Sequence, residues 1–241
     1  MCNFLGKFKI FFLILLVIIC TGKALEASTL SDDELLCYSD IALDFDSGNI
    51  LYGKNQNEKI YPASTTKILT AILTIENLDL NQEVTVSNTV INSIPYGSSV
   101  MGVKKGEVFT IEQLLYGLLL PSGNDAALVL AEAVSGNIND FVILMNKKLK
   151  ELNLNDTHFV NPHGFHDNNH YSTAKDMAYL LKYCLNNDTF KKIFCTLEYT
   201  IPPTNLTSKE KTLRNTTRMM DPLYKSMYYE YMKGGKTGYT I

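Results

Sequence analysis

Three short polar motifs follow one another along the chain: Ser-Thr-Thr-Lys at 64–67, Ser-Gly-Asn at 122–124 and Lys-Thr-Gly at 236–238. The first offers a hydroxyl and a base, the second a further hydroxyl and a carboxamide, and the third a cation beside another hydroxyl. Any one of these patterns arises by chance in a chain of this length, whereas three in this order are a strong signal. Together they predict a serine nucleophile that forms a covalent acyl intermediate.

The first motif brings a nucleophile and a base together. A serine hydroxyl is a weak nucleophile until a neighbouring base takes its proton. Residues three apart on a helix share a face, so Lys67 can reach the hydroxyl of Ser64. Because an amine accepts a proton only when it is neutral, Lys67 needs a pKa lowered by burial or by a nearby positive charge, and we expect Lys236 to supply that charge.

The other two motifs offer groups that position a substrate. The Ser122 hydroxyl can relay a proton toward the leaving group, and the Asn124 carboxamide can hold a peptide bond in register. Lys236 and Thr237 can bind a substrate carboxylate, while Gly238 lets another backbone segment approach closely. Either motif alone would equally fit an ordinary polar loop, and its place in the ordered set favours function.

A tetrahedral intermediate also needs two N–H donors aimed at its oxyanion. We expect these donors to be the backbone amides of Ser64 and Tyr239. The positive end of the helix that begins near Ser64 adds to them. The intermediate would therefore lie between a helix and a strand.

The surrounding apolar pattern predicts how the first motif is held. Strand-like runs at 38–45 and 50–52 flank a turn-forming cluster, which predicts an opening β-hairpin. Pro62 and the helical spacing of the apolar residues that follow predict that Ser64 lies in the first turn of a buried helix.

The middle of the chain is predicted to be helical. Thr110 and Gln113 resemble a capping box for a helix that stops at Pro121, which leaves the second motif in a loop. Residues 196–230 are predicted as strands and loops, and the third motif as part of a strand at 231–241. Three more helices are predicted at 126–134, 141–152 and from 172 or 173 to about 185.

These elements predict an α/β fold in which an antiparallel sheet is flanked by helices and joined to an all-helical lobe. The 241 residues, 46% of them hydrophobic, suffice for one large domain. A formal net charge of -3 without a long basic run argues against a nucleic-acid partner.

Residues 1–27 have the order of a secretory signal peptide: two lysines, an apolar run from 10 to 20, and small residues ending at Ala24 or Ala27. The apolar run has 11 residues, whereas a bilayer-spanning helix needs about 20. Export is therefore favoured over a retained membrane anchor.

Cysteines and histidines predict neither a disulfide framework nor a metal site. The cysteines that remain after the leader are odd in number and cannot all pair: Cys37, Cys184 and Cys195. A bridge between the last two is conceivable after export, but buried free thiols are favoured. Four histidines lie within 13 residues, yet no cysteine or carboxylate pair completes a zinc ligand set: His158, His163, His166 and His170.

The motifs and their surroundings resemble the low-molecular-mass penicillin-binding proteins that act as D-alanyl-D-alanine carboxypeptidases, the serine peptidase family S11. Beyond the three motifs, the resemblance rests on Pro62–Lys67, Leu120–Ala127, Asn161–Gly164 and His170–Ala174. It extends from about residue 36 to the last residue, so we expect a serine D,D-peptidase catalytic domain at 36–241.

The resemblance implies a role for each site residue. Ser64 would be the acyl-ester nucleophile, Lys67 the proton acceptor, Ser122 the proton relay, and Lys236 with Thr237 the binders of the terminal carboxylate. The fold would be that of penicillin-binding proteins and β-lactamases. The reaction would remove the last D-alanine from a peptidoglycan stem pentapeptide, and β-lactams would acylate the same serine. No metal or organic cofactor is implied, and the protein would act at the extracytoplasmic face of the bacterial membrane or in the cell wall.

In that family the chain continues past the Lys-Thr-Gly strand through two more strands of the catalytic sheet, a closing helix and usually a β-rich domain that ends in an amphipathic membrane helix. We therefore expect the catalytic domain to be incomplete at its C-terminus and its last strand to lack a neighbour. The chain as given is then expected to be unstable or weakly active. Membrane association is expected only through such a C-terminal region or an uncleaved leader.

Two other functions stay open. A class A-like β-lactamase shares the three motifs and adds a glutamate that activates the deacylating water. Glu151–Asn155 matches the E-x-x-L-N string of that enzyme, although the same residues also end a predicted helix. The second alternative is an inactive protein that only binds cell-wall peptide or β-lactam.

Overall fold

The computed structural model describes residues 37–240. The predicted signal peptide at 1–27 lies outside these residues. Short 3-10 helices occupy Ala63–Thr66 and Arg218–Met220. The strands are β1 (Asp40–Leu43), β2 (Ile50–Lys54), β3 (Glu83–Thr85), β4 (Val108–Thr110), β5 (Glu198–Ile201) and β6 (Lys211–Arg214). The α-helices are α1 (Lys67–Asn77), α2 (Asn88–Ser93), α3 (Ile111–Leu119), α4 (Asn124–Ser135), α5 (Ile138–Glu151), α6 (Ala174–Leu185) and α7 (Asp188–Phe194).

The strands are antiparallel, as predicted, and within the described range they pair two by two: β1 with β2, β3 with β4, and β5 with β6. The opening hairpin is confirmed, with Asp40 opposite Lys54 and Ala42 opposite Tyr52. A shift of register between Ala42 and Leu43 marks a bulge at its turn end.

The predicted strand at 231–241 is not observed, because residues 231–240 form no strand. A strand needs a neighbour to complete its backbone hydrogen bonds, and no strand between 37 and 240 pairs with this segment. The segment lies instead against the 3-10 turn at Ala63–Thr66, where a Cβ on Gly238 would come within 3.0 Å of the Pro62 carbonyl oxygen. The expected incompleteness of the catalytic domain stays a prediction.

The helices agree with the sequence pattern at most of their ends. The Thr110 side chain accepts a hydrogen bond from the backbone amide of Gln113, and the Gln113 side chain accepts one from the backbone amide of Thr110. The capping box before α3 is therefore confirmed. The expected loop of the second motif is shorter than predicted, because Asn124 already begins α4. Thr173 caps α6, as expected. The pattern did not reveal α2, α7 or the short pair β3–β4.

Helix α1 lies at the centre of the molecule and packs against α3, α4, α6 and α7. All eight residues from Lys67 to Thr74 are buried. Because α1 is enclosed on all sides over these residues, its first residue, Lys67, enters the core although it carries an amine. The packing of the fold thus buries the amine that the sequence analysis predicts to be the base.

Cys184 is buried in the core, Cys195 is half-buried, and the two do not form a disulfide. Within residues 37–240 no single helix is both long and apolar enough to span a membrane. Helices α4 and α5 together meet that length and composition, but they are bent by 85° at their junction.

Candidate active site

The first motif crosses from a 3-10 turn into α1. Ala63 has a left-handed φ of 48°, and the Thr65 hydroxyl donates to the Pro62 carbonyl at 2.6 Å, which tightens the turn. Ser64 lies in this turn, and Lys67 opens the α-helix. The Ser64 Oγ is 3.0 Å from the Lys67 Nζ, so the predicted pair is within hydrogen-bond distance.

Lys67 has no exposed surface, and its amine is surrounded by oxygen acceptors. Besides Ser64, its Nζ donates to the Asn124 Oδ1 at 2.6 Å and to the His163 carbonyl at 2.7 Å. Burial lowers the pKa of Lys67 well below its ordinary value, the positive charge of Lys236 lowers it further, and the negative charge of Asp125 opposes both.

The second motif presents its groups from the start of α4. Ser122 has a left-handed φ of 65°, an uncommon conformation for a residue with a side chain. Its hydroxyl is buried and has no hydrogen-bond partner among residues 37–240. The backbone amide of Asn124 donates to the Ser99 carbonyl at 2.8 Å. This bond fixes the position of Asn124, whose side chain contacts Lys67.

The third motif approaches the first through backbone contact. A Cβ on Gly238 would lie 3.4 Å from the Ser64 amide nitrogen, so this position brings the two chain segments close together. The Thr237 and Thr216 hydroxyls are 2.6 Å apart. The Lys236 ammonium donates to the Thr237 carbonyl at 2.6 Å, and burial lowers the pKa of Lys236 to about 7.

A pocket of about 490 Å³ joins these segments. Lys67 lies buried beside it, next to Ser64, and Lys236 is not among the lining residues. The Tyr239 side chain is 87% exposed, and the oxyanion role of its amide stays a prediction. Of the predicted site residues, the pocket is lined by Ser64, Ser122, Asn124, Thr237, Gly238 and Tyr239.

Sequence reasoning missed several groups at this site. Thr216 lines the pocket from the segment after β6, and no motif marks it. The His163 contribution comes from its backbone carbonyl, which no side-chain pattern can reveal. Gly164 has a φ of 81°, and its position in the Asn-Pro-His-Gly segment was the available signal.

Two of the four histidines are buried beside the first motif. The Val160 amide donates to His170 Nδ1 at 3.2 Å, so the proton is on Nε2, which lies 2.8 Å from the Thr66 hydroxyl. Burial lowers the pKa of His170 to about 4 and that of His163 to about 3. Both rings are therefore neutral at physiological pH.

Between residues 37 and 240, no three histidine, cysteine or acidic side chains are grouped to hold a metal ion.

Glu151, the glutamate of the E-x-x-L-N string, lies at the end of α5. Its side chain is half exposed and forms ion pairs with Lys147 at 3.9 Å and Lys148 at 3.8 Å. It does not line the pocket that contains Ser64. The string is thus a helix end, as the alternative interpretation of these residues proposed.

Solved structures identify the fold as that of penicillin-binding D,D-peptidases. The Streptomyces K15 DD-transpeptidase matches with a TM-score of 0.79 at 28% identity, covering 88% of this chain and 83% of that one. The D-alanyl-D-alanine carboxypeptidase of Mycobacterium tuberculosis H37Rv matches with a TM-score of 0.77 at 33% identity, covering 89% and 77%.

The chain belongs to the peptidase S11 family, the D-alanyl-D-alanine carboxypeptidases, whose pattern matches residues 26–241. It is similar to the carboxypeptidase DacF of Bacillus subtilis (strain 168), with 38% identity over 205 residues that cover 84% of this chain and 50% of that protein. It is also similar to DacB2 of Mycobacterium tuberculosis, with 35% identity over 83% of this chain and 65% of that protein. The chain thus spans between half and two thirds of the length of these two relatives.

Proposed function

We propose that this chain is a serine-type D-alanyl-D-alanine carboxypeptidase, which removes the terminal D-alanine from peptidoglycan stem pentapeptides and is acylated by β-lactams. The observation that carries the proposal is the 3.0 Å distance between the Ser64 Oγ and the Nζ of a lysine with no exposed surface. Membership of the S11 family and the names of its relatives support the substrate class.

The contacts of Lys67 suit a neutral amine. Such an amine has two N–H donors and one lone pair, and the two shorter contacts, to Asn124 and to the His163 carbonyl, use both donors. The lone pair then faces Ser64, whose hydroxyl can donate its proton to it. As Ser64 attacks the carbonyl carbon of the penultimate D-alanine, Lys67 takes that proton and becomes an ammonium.

The remaining groups stabilise and complete the step. The amides of Ser64 and Tyr239 would donate to the oxyanion, and the unpartnered Ser122 hydroxyl is free to pass the proton to the leaving D-alanine amine. Thr237 and Lys236 would hold the terminal carboxylate. Water then attacks the acyl ester, with Lys67 again as the base, and releases the shortened peptide. These steps use groups of this chain, the substrate and one water molecule.

We also propose where the protein acts and which residues direct it there. Residues 1–27 would direct export as a signal peptide, and residues 36–241 would form the catalytic domain. The protein would act on the extracytoplasmic side of the bacterial membrane, where peptidoglycan lies.

A labelled penicillin followed by mass mapping of the modified peptide tests this proposal. We expect the adduct on Ser64, none in Ser64→Ala, and at least a 100-fold slower reaction in Lys67→Met, as loss of a general base typically costs about 100- to 10,000-fold. Lys150→Met, an exposed lysine at the end of α5, is the matched control and should react as the parent does. An adduct on another residue, or a full rate in Lys67→Met, would contradict the proposal.

Steady-state assays separate the carboxypeptidase from the two alternatives. We expect D-alanine release from a D-alanyl-D-alanine peptide and slow turnover of penicillin, because Glu151 lies outside the pocket. Fast penicillin turnover without peptide cleavage would establish the β-lactamase instead. Binding of either compound with no acyl adduct would establish the inactive binding protein.

A further inference from the structure

A chain segment that no motif marks forms one wall of the pocket. Gly97, Ser98 and Ser99 line the pocket, and the following residues, 101–103, pass over the start of α4. We call residues 97–103 the wall segment. Its backbone amides at Met101, Gly102 and Val103 all point to one side chain.

That side chain is Asp125, which is only 1% exposed. Its Oδ1 accepts from the Met101 amide at 2.8 Å, and its Oδ2 accepts from Gly102 at 2.7 Å and Val103 at 3.1 Å. The Oδ1 also accepts from the Ala126 amide at 2.9 Å, within α4. The Asp125 side chain offers an acceptor oxygen on both sides, whereas an amide at this position would turn an NH2 group toward N–H donors.

The wall segment also holds Asn124, the site residue that precedes Asp125. The backbone amide of Asn124 donates to the Ser99 carbonyl at 2.8 Å, while the side-chain oxygen of Asn124 accepts from Lys67 at 2.6 Å. The space between is small, since a Cβ on Gly123 would lie 2.8 Å from the Asp125 Oδ1 and 3.0 Å from the Met101 nitrogen. A shift of the wall segment would therefore move Asn124 and, through it, Lys67.

We propose that Asp125 is a positioning residue for acyl transfer, which holds the wall segment and Asn124 in register with Ser64. The inference rests on the proposed function of Ser64. It assigns Asp125 a second effect as well, because its negative charge opposes the burial and the Lys236 charge that lower the pKa of Lys67. The other titratable groups that face Lys67, His163 and His170, are neutral, since their pKa values are about 3 and about 4.

The test compares Asp125→Asn with Asp176→Asn in the full chain. Asp176 is also a buried acidic residue in the first turn of a helix, where it accepts from the Asp156 amide and the Thr157 hydroxyl, away from the pocket. For Asp125→Asn we expect acylation by labelled penicillin to slow by about 10- to 100-fold per folded molecule, as for an active site misplaced by about 1 Å. The acid limb of its pH profile should also move to lower pH, because Lys67 loses a neighbouring negative charge. Asp176→Asn should keep both the acylation rate and the acid limb of the parent protein.

A purely structural role would lower the melting temperature of Asp125→Asn but leave the acylation rate per folded molecule and the acid limb unchanged, and this result would overturn the proposal. If Asp125→Asn does not fold, hydrogen exchange of the parent protein tests whether Asp125 holds the wall segment. The amides of residues 101–103 should then exchange as slowly as those of α4, and exchange as fast as in the exposed residues 208–210 would overturn the inference. Failure of the parent to be acylated on Ser64 would contradict the proposed function, whereas exchange still reports on the Asp125 contacts.

Discussion

At the scale of single residues, the surroundings of Lys67 would set, in the proposed mechanism, the pH range in which Ser64 reacts. Burial removes water from the amine and disfavours the ammonium, and Lys236 acts in the same direction. The negative charge of Asp125 opposes both effects. The lowered pKa of Lys67, the proposed base, therefore depends on its position at the head of a buried helix more than on any one neighbour.

Replacing Lys236 by methionine should move the reactivity of Ser64 to higher pH. Without the Lys236 charge the pKa of Lys67 rises, so a larger fraction of the amine is protonated and inactive at a given pH. The acid limb of the acylation profile shifts upward accordingly, and the KM for a peptide with a free carboxylate increases. The profile of kcat/KM against pH measures the shift of the limb, and the dependence of the rate on peptide concentration measures the KM. Lys233→Met, an exposed lysine three residues earlier, is the matched control, and an unshifted limb in Lys236→Met would contradict the prediction.

At the scale of elements, the segment Asn161–Gly164 packs against the start of α1. The Pro162 carbonyl accepts from the Thr70 hydroxyl at 2.6 Å, and the next carbonyl, of His163, accepts from Lys67. Gly164 then passes so close to the 3-10 turn that a Cβ would lie 1.8 Å from the Ala63 carbonyl oxygen. The segment therefore fixes both the turn that carries Ser64 and the lysine that follows it.

Gly164→Ala should destabilise the protein and slow acylation, whereas Gly136→Ala should do much less. Both glycines have a left-handed φ, 81° and 78°, so both substitutions add roughly 1–2 kcal/mol of backbone strain. Only Gly164 adds a collision with the Ala63 backbone, because nothing lies within 4 Å of a Cβ at Gly136. Urea unfolding and the rate of penicillin acylation measure the difference. Equal losses in the two variants would show that the close contact with Ala63 has no energetic weight.

The elements that the sequence predicts well are those fixed by local interactions. The capping box of α3 joins residues three apart, and the hairpin β1–β2 closes over a short turn, so both patterns are visible in the chain. The Ser64–Lys67 pair is predictable for the same reason. Short elements such as α2 and β3 carry too few residues to show a period, and packing decides them.

At the scale of the whole molecule, the site depends on contacts between distant parts of the chain, which local patterns do not contain. Lys67 bonds Asn124 and the His163 carbonyl across 57 and 96 residues. Thr216 and Thr237 meet across 21 residues. The motifs could predict which side chains gather, but the backbone acceptor of His163, the Asp125 contacts and the missing strand at 231–240 follow from three-dimensional packing.

The same packing makes the molecule sensitive to acid. In the fold the pKa of His170 is about 4 and that of His163 about 3, whereas the ordinary histidine value is 6.5. As the pH falls below 6.5, the unfolded chain binds protons that the folded protein does not, so folding stability decreases. The loss continues to about pH 4 for His170 and about pH 3 for His163, with a slope of up to about 1.4 kcal/mol per pH unit for each ring.

Replacing His170 by glutamine should reduce this acid sensitivity, because the amide can still donate to the Thr66 hydroxyl but does not titrate. Urea unfolding at several pH values between 4.5 and 6.5 measures the slope. This window lies above the range where most carboxylates gain protons, so histidine dominates the difference between variants. The variant loses the contact with Val160 and should be less stable at pH 7, but its stability should fall less steeply with acid. A parent slope in His170→Gln would show that His170 is protonated within the fold.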